Sequence, residues 1–194
     1  DASIDMMAMN SINEILVYIS ETLQKRLYKT VVLAITIDEQ NYSTELVHIT
    51  GLDGTILNNA FKIIGYNPVG EKFELVEELH SIFKQNKLTH FEGGLSEFSS
   101  NQFPKGAAKA LQKMLNINQI QTIGISHDNK LFAGIHFFTL QKQELTDVNL
   151  IESLINVAGI VLQRQQLIDA LHVSEEKFRS IFANTKSAIT IQDD

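Results

Sequence analysis

The chain reads as an α+β domain built on a central antiparallel sheet of five or six strands, and three observations carry that reading. Two apolar, β-branched stretches near the start, residues 30–37 and 44–50, flank the turn Asp38-Glu39-Gln40-Asn41 and form one hairpin. Two more, residues 120–126 and 131–140, flank His127-Asp128-Asn129-Lys130 and form a second. Helical stretches bracket both hairpins and fill the middle, an order that favours an antiparallel sheet over alternating βαβ units. The first and last helices are expected to cover one sheet face. Middle helices and loops are expected to cover the other.

Taken in order, residues 1–8 are expected to be a disordered or frayed start. Over residues 9–28, Met9, Ile12, Ile15, Leu16, Ile19, Leu23 and Leu27 recur at helical spacing, with Asn10 or Ser11 as N-cap. Residues 30–37 are apolar on both faces, the mark of a buried strand. After Gly51-Leu52-Asp53-Gly54, residues 56–64 make a short helix ended by Gly65. Residues 71–75 are a brief extended piece, and 76–84 are helical with Leu79, Ile82 and Phe83 inward. Residues 86–104 are the least regular, broken by Gly93-Gly94 and rich in aromatics. The one or two strands still missing are expected between residues 71 and 100. Residues 105–115 form a further helix.

Thr146-Asp147 then opens a helix that runs to about residue 182 without Pro. Its one Gly, Gly159, costs about 1 kcal/mol against Ala. The first half, to Leu162, is apolar over more than one face; residues 163–176 keep only a thin seam and read as a signalling linker. Leu154, Val161, Ile168 and Leu171 fall on one stripe. They are expected to form the seam of a parallel homodimer together with the N-terminal helix, Gln165 holding register.

Composition bounds what such a domain does. The 194 residues are 44% apolar and 20% charged, ordinary for a packed core. A formal net charge of -7 with no basic cluster argues against nucleic acid. Cysteine is absent, which excludes disulfides, Cys-ligated zinc, thiol catalysis and thioether-linked pigments. No apolar run reaches the about 18 residues of a membrane span. A cytoplasmic fragment is expected, any membrane attachment lying elsewhere in its parent.

The stretches "IQTIGISHDNKLFAGIHFFT" and "LIESLINVAGIVLQRQQ", with the helix-hairpin opening, resemble a GAF domain over residues 9–170. The tail "LHVSEEKFRSIFANTKSAITIQDD", residues 171–194, resembles, over 174–194, the truncated entry of a PAS domain, with a helix and then a first strand at 187–192. The resemblance implies a regulatory sensor module of a signal-transduction protein of the sensor histidine kinase type. Its partners would be a second copy, a small-molecule ligand, and downstream PAS and kinase domains of the same chain. The fragment itself is expected not to be an enzyme, and the sequence requires no cofactor.

The residues offer few chemical sites. Of the six histidines, none has metal-ligand spacing, and His127-Asp128 reads as a turn rather than a metal pair. His172 lacks the context of a phospho-accepting histidine. No nucleophile elbow or phosphate loop is present. His48 and His136 lie in buried strands. Alternation puts His48 with Leu46 and Thr50, and His136 with Phe132, Gly134 and Phe138. Either lines a ligand pocket or ligates a haem iron, or is a core histidine satisfied locally. By the resemblance, the 87–104 loop lies over the pocket. There Phe91, Phe98 and Phe103, with Phe73, enclose a flat or apolar ligand or else plug a small core. The alternative to a sensor is a structural dimerisation module with no ligand.

Overall fold

The structure, a computed structural model, describes residues 2–9, 11–99 and 102–189. Helix α1 (Ala2–Met7) leads into α2 (Ile12–Gln24), the hairpin of β1 (Thr30–Asp38) and β2 (Ser43–Thr50), and α3 (Gly54–Ile64). The middle supplies β3 (Lys72–Glu74), α4 (Glu77–Phe83), β4 (Thr89–His90), α5 (Leu95–Phe98) and α6 (Ala107–Leu115). A second hairpin, β5 (Ile117–His127) and β6 (Lys130–Leu140), precedes α7 (Val148–Ile189).

The strands form one six-stranded antiparallel sheet in the order β3-β2-β1-β6-β5-β4. The two hairpins therefore meet at its centre, β1 against β6, and the short β3 and β4 close its edges. Because β1 and β6 are paired on both sides, their side chains are buried on both faces, as their unbroken apolar runs require.

One face carries α1, α2 and α7. Their core joins Ile15, Leu16 and Ile19 of α2 to Ile151, Ile155 and Ala158 of α7 over Val32 and Ile135 of the sheet. The other face carries α3 to α6, packed on Val31, Ile35 and Phe138. Each apolar side chain buried this way contributes about 1.5–3 kcal/mol relative to exposure, so neither layer is dispensable. Ser11 caps α2, its Oγ accepting from the Glu14 amide at 3.2 Å; Asn10 lies outside the described residues.

Two expectations about the ends are corrected. The start is not frayed over residues 2–7: these form α1, whose Met6 is wholly buried in the first core and whose Asp5 accepts from the Tyr18 hydroxyl at 2.8 Å. At the other end, α7 runs unbroken to Ile189, so residues 187–189 of the expected strand are helical, and 190–192 lie outside the described residues. The cause is local. No Gly or Pro follows Gly159, and a helix satisfies its own backbone, whereas a strand needs a partner strand, and none pairs with residues 187–189 among the described residues.

Candidate functional site

The layer of short helices encloses a cavity of about 130 Å³ against the sheet. Its floor is the face of β1 bearing Val31, Leu33 and Ile35, flanked by Leu46 and Ile49 of β2 and by His136 and Phe138 of β6. The roof comes from Ala60 and Ile64 of α3, Phe83 of α4, Phe98 of α5, and Leu111 and Leu115 of α6. Polar groups in the lining are few: Thr44, Glu74, Ser99, Gln102 and His136. No Lys or Arg lines it.

Phe83 is the keystone of the roof. It is wholly buried, and it seats over Gly124 and Gly134, which face each other directly across β5 and β6. A Cβ on Gly134 would come within 2.9 Å of the Phe83 ring, and one on Gly124 within 2.1 Å of its carbonyl oxygen. The paired glycines thus make a dimple in the sheet that only hydrogen side chains leave open.

Among the described residues of the lining, His136 is the most deeply buried polar side chain, 4% exposed, with Thr44 at 9% the other buried one. Its Nδ1 lies 2.8 Å from Oγ1 of Thr122, its cross-strand neighbour. The Phe98 ring meets it edge-on at 4.7 Å, and the Phe83 ring lies at 5.6 Å. Burial depresses its pKa from 6.5 to about 3, so the ring is neutral. Phe98 also meets Phe138 at 5.4 Å and Phe91 at 5.4 Å, both near-perpendicular. Phe73 and Phe103 pair edge-on at 6.2 Å beside the rim. There Gln102 bonds the edge of β3 twice, accepting from the Glu74 amide at 2.7 Å and donating to its carbonyl at 3.3 Å.

Of the residues the sequence singled out, the structure brings Phe73, Phe98, Phe103 and His136 to the cavity. Phe91 stands behind Phe98 rather than in the lining. His48 is placed on the opposite face. A bulge pairs Ile35 with Leu46 but Ala34 with His48, so Val47 is extra and the alternation slips by one residue. His48 therefore faces α2, with Nε2 at 3.8 Å from Glu21 Oε1. A second irregularity, between Ile125 and Ser126, likewise moves Phe132 to the α2–α7 face, away from His136. Phe83 and the aliphatic walls carry no motif; only the inward phase of α4 points to Phe83.

The remaining polar cluster is structural. Glu39 Oε1 receives His80 Nε2 at 2.9 Å and Lys84 Nζ at 3.1 Å, while its Oε2 accepts from the Leu131 amide at 3.4 Å. The bond from His80 holds the Glu39 carboxyl below the ordinary range, and the cluster ties α4 to the β1–β2 turn. Among the described residues no group of three potential metal ligands occurs, and no helix is long and apolar enough to cross a membrane.

On α7, the expected seam divides. Val161 is buried in the first core and Leu154 packs against it, whereas Ile168 and Leu171 are exposed. Six exposed apolar residues, Ile160, Leu167, Leu171, Phe178, Ile181 and Phe182, from 49% to 69% exposed, share one stripe, whereas Val173, 51% exposed, falls on the other side. At 100° per residue the six lie on the back of the helix, opposite Ile151, Ile155, Ala158 and Leu162.

An α+β domain with helices on both faces of this sheet, and a cavity between the sheet and four short helices, can be set beside solved structures. Residues 122 to 287 of a methyl-accepting chemotaxis protein match over 88% of this chain and 99% of that one, at a TM-score of 0.61 and 18% identity. The GAF domain of the cyanobacteriochrome TePixJ matches over 84% and 95%, at 0.57 and 14%. The GAF domain of a two-component sensor histidine kinase from Bacillus halodurans matches over 83% and 99%, at 0.55 and 15%. This is the GAF fold. No family model matches the sequence, and no curated protein matches it either. In the GAF architecture seen here, the cavity occupies the face away from α7, and α7 leaves from the other layer.

Proposed function

We propose that this GAF-fold domain is a regulatory sensor module of a signal-transduction protein of the sensor histidine kinase type. It takes a small molecule in its cavity and passes the change along α7 to a downstream PAS domain. The observation that carries this reading is the cavity itself: a preformed apolar space under Phe83 and Phe98 that the side chains leave unfilled. Among the described residues the lining offers no nucleophile with an adjacent base, which supports binding rather than catalysis. The kinase and PAS assignments are supported by the sequence of residues 174–194 and by the company of the fold, which includes a domain of a sensor kinase.

The cavity layer has physical routes to α7. From Phe83 the chain turns at Asn86, whose side chain donates to Asn156 of α7, and the Leu88 amide donates to Glu152 at 3.1 Å. At the far end of the sheet, Gln163 of α7 donates to Asp128 in the β5–β6 turn at 2.8 Å. A change in the seat of Phe83 therefore has bonded partners on the output helix.

The exposed back of α7 favours assembly as a parallel homodimer. Ile160, Leu171 and Phe182 are spaced by eleven residues, as are Leu167 and Phe178. An eleven-residue repeat specifies a nearly straight or slightly right-handed pair rather than a left-handed coiled coil. That stripe also sustains the second reading, a dimerisation module whose cavity holds nothing. Thermal-shift screening of nucleotides, tetrapyrroles and small metabolites separates the two: the sensor reading expects a ligand that raises Tm, and a screen without any shift supports the second. A haem reading is not carried forward, because His48 faces α2 and the space beside His136, about 130 Å³, is far smaller than a haem.

A further inference from the structure

The cavity restricts its ligand by size, charge and hydrogen bonding. Its volume is about 130 Å³, close to the roughly 150 Å³ of a dry Leu/Ile/Phe cavity that takes up benzene. Larger ligands such as nucleotides or tetrapyrroles do not fit without displacing the roof. Charge is equally limiting. The lining has no cation to meet a carboxylate or phosphate, and its single carboxylate, Glu74, is exposed on the rim strand β3. A bound anion would lose its hydration without compensation.

Among the described residues, the deepest hydrogen-bonding group of the site is His136. Thr122 Oγ1 also lies 3.4 Å from the Ile135 carbonyl, an acceptor for its proton; in that arrangement Nδ1–H of the imidazole donates to Thr122. The neutral ring then keeps Nε2 as an acceptor. Among the described residues no hydrogen bond reaches Nε2. Thr44, Ser99 and Gln102 lie toward β3 and the rim, where Ser99 Oγ already donates to Ser96 and Gln102 is engaged with β3.

Building on the sensor reading, we propose that the ligand class is a small uncharged ring of about benzene size carrying one hydrogen-bond donor, a phenol-type molecule whose hydroxyl donates to Nε2 of His136. The ring packs among Leu33, Ile35, Phe98 and Phe138, and edge-on contacts of the kind Phe98 already makes suit a flat ligand.

The test is calorimetric titration of the 194-residue chain with phenol, benzene and benzoate, for the wild type, His136→Asn and His136→Gln. Asn reaches the Nδ1 position and keeps the Thr122 bond while removing Nε2; Gln restores a polar atom near Nε2. In the wild type phenol should bind at least as tightly as benzene, although its hydroxyl costs more to desolvate, and benzoate should not bind. His136→Asn should lower the phenol-to-benzene affinity ratio about tenfold, with Gln in between and benzene affinity nearly unchanged. Benzene affinity thus reports that each variant is folded, and if a variant loses it the wild-type ratio alone decides. Benzoate binding, benzene bound far more tightly than phenol, or a ratio indifferent to Asn overturns the ligand class and leaves the cavity's sensor role standing. No binding of any probe to folded protein overturns both.

Discussion

At the scale of single residues, His136 shows how burial turns a titratable side chain into a neutral hydrogen-bonding one. Its folded pKa is depressed to about 3 from 6.5 by burial. The sign follows from linkage: below pH 6.5 the unfolded chain binds a proton that the folded chain refuses, so stability falls as pH drops from about 6.5 toward 3, by up to about 1.4 kcal/mol per unit. Glu39, held low chiefly by its bond from His80, loses stability in the acid range as well. Urea denaturation from pH 7 to 4 should therefore show a steeper decline for wild type than for His136→Asn, which keeps only the Glu39 contribution. Equal slopes would place the His136 ring in a wetter site than the fold gives it. Gly134 makes the complementary prediction. Gly134→Ala drives a methyl to 2.9 Å from the Phe83 ring, and overpacking of this kind costs about 1–3 kcal/mol, readable as a lower urea midpoint. The reason for Gly134, the seat of Phe83, is not legible in the sequence because it needs the cross-strand partner Gly124.

At the scale of elements, the legible pieces are those with a long period. The two central hairpins and the paired faces of α2 and α7 stand out because nine or more residues repeat their pattern in β1, β5, β6 and both helices. β3, of three residues, falls in the extended piece expected at 71–75, and β4, of two, in the span 71–100 expected to hold the missing strands, though neither is long enough to alternate. His48 and Phe132 are misplaced by alternation because each lies beside a bulge, and a bulge leaves no mark in composition. Gly159 is a further case where spacing alone misleads. In isolation Ala there would strengthen the helix by about 1 kcal/mol. Here its Cβ would come 2.6 Å from the Ser126 carbonyl oxygen, on a sheet backbone that cannot swing aside. Gly159→Ala is therefore expected to destabilise the domain by about 1–3 kcal/mol and to loosen the adjacent Gln163–Asp128 bond. Chemical denaturation gives the sign, and a gain in stability would show that α7 does not press on β5 as closely as described.

At the scale of the whole molecule, two opposite faces of one sheet hold two different tasks. The α3–α6 layer keeps a space open; the α1–α2–α7 layer is filled and sends α7 outward with an apolar back. Light scattering separates the faces of α7. Leu167→Glu and Leu171→Glu are expected to give monomers whose domain melts as before, whereas Val161→Glu, which buries a charge in the first core, should unfold the domain. A dimer indifferent to the first two would remove the outward stripe as the contact. The central claim, that the cavity binds a ligand and that α7 feels it, is tested most directly by methyl NMR during a phenol titration. The account predicts that methyls of Ile35, Leu46 and Leu111 around the cavity shift first and saturably, with concerted shifts of Ile155 on α7 near the Asn86–Asn156 bond. Cavity methyls that stay unmoved, or shifts confined to the exposed side chains of the helix back, would contradict it.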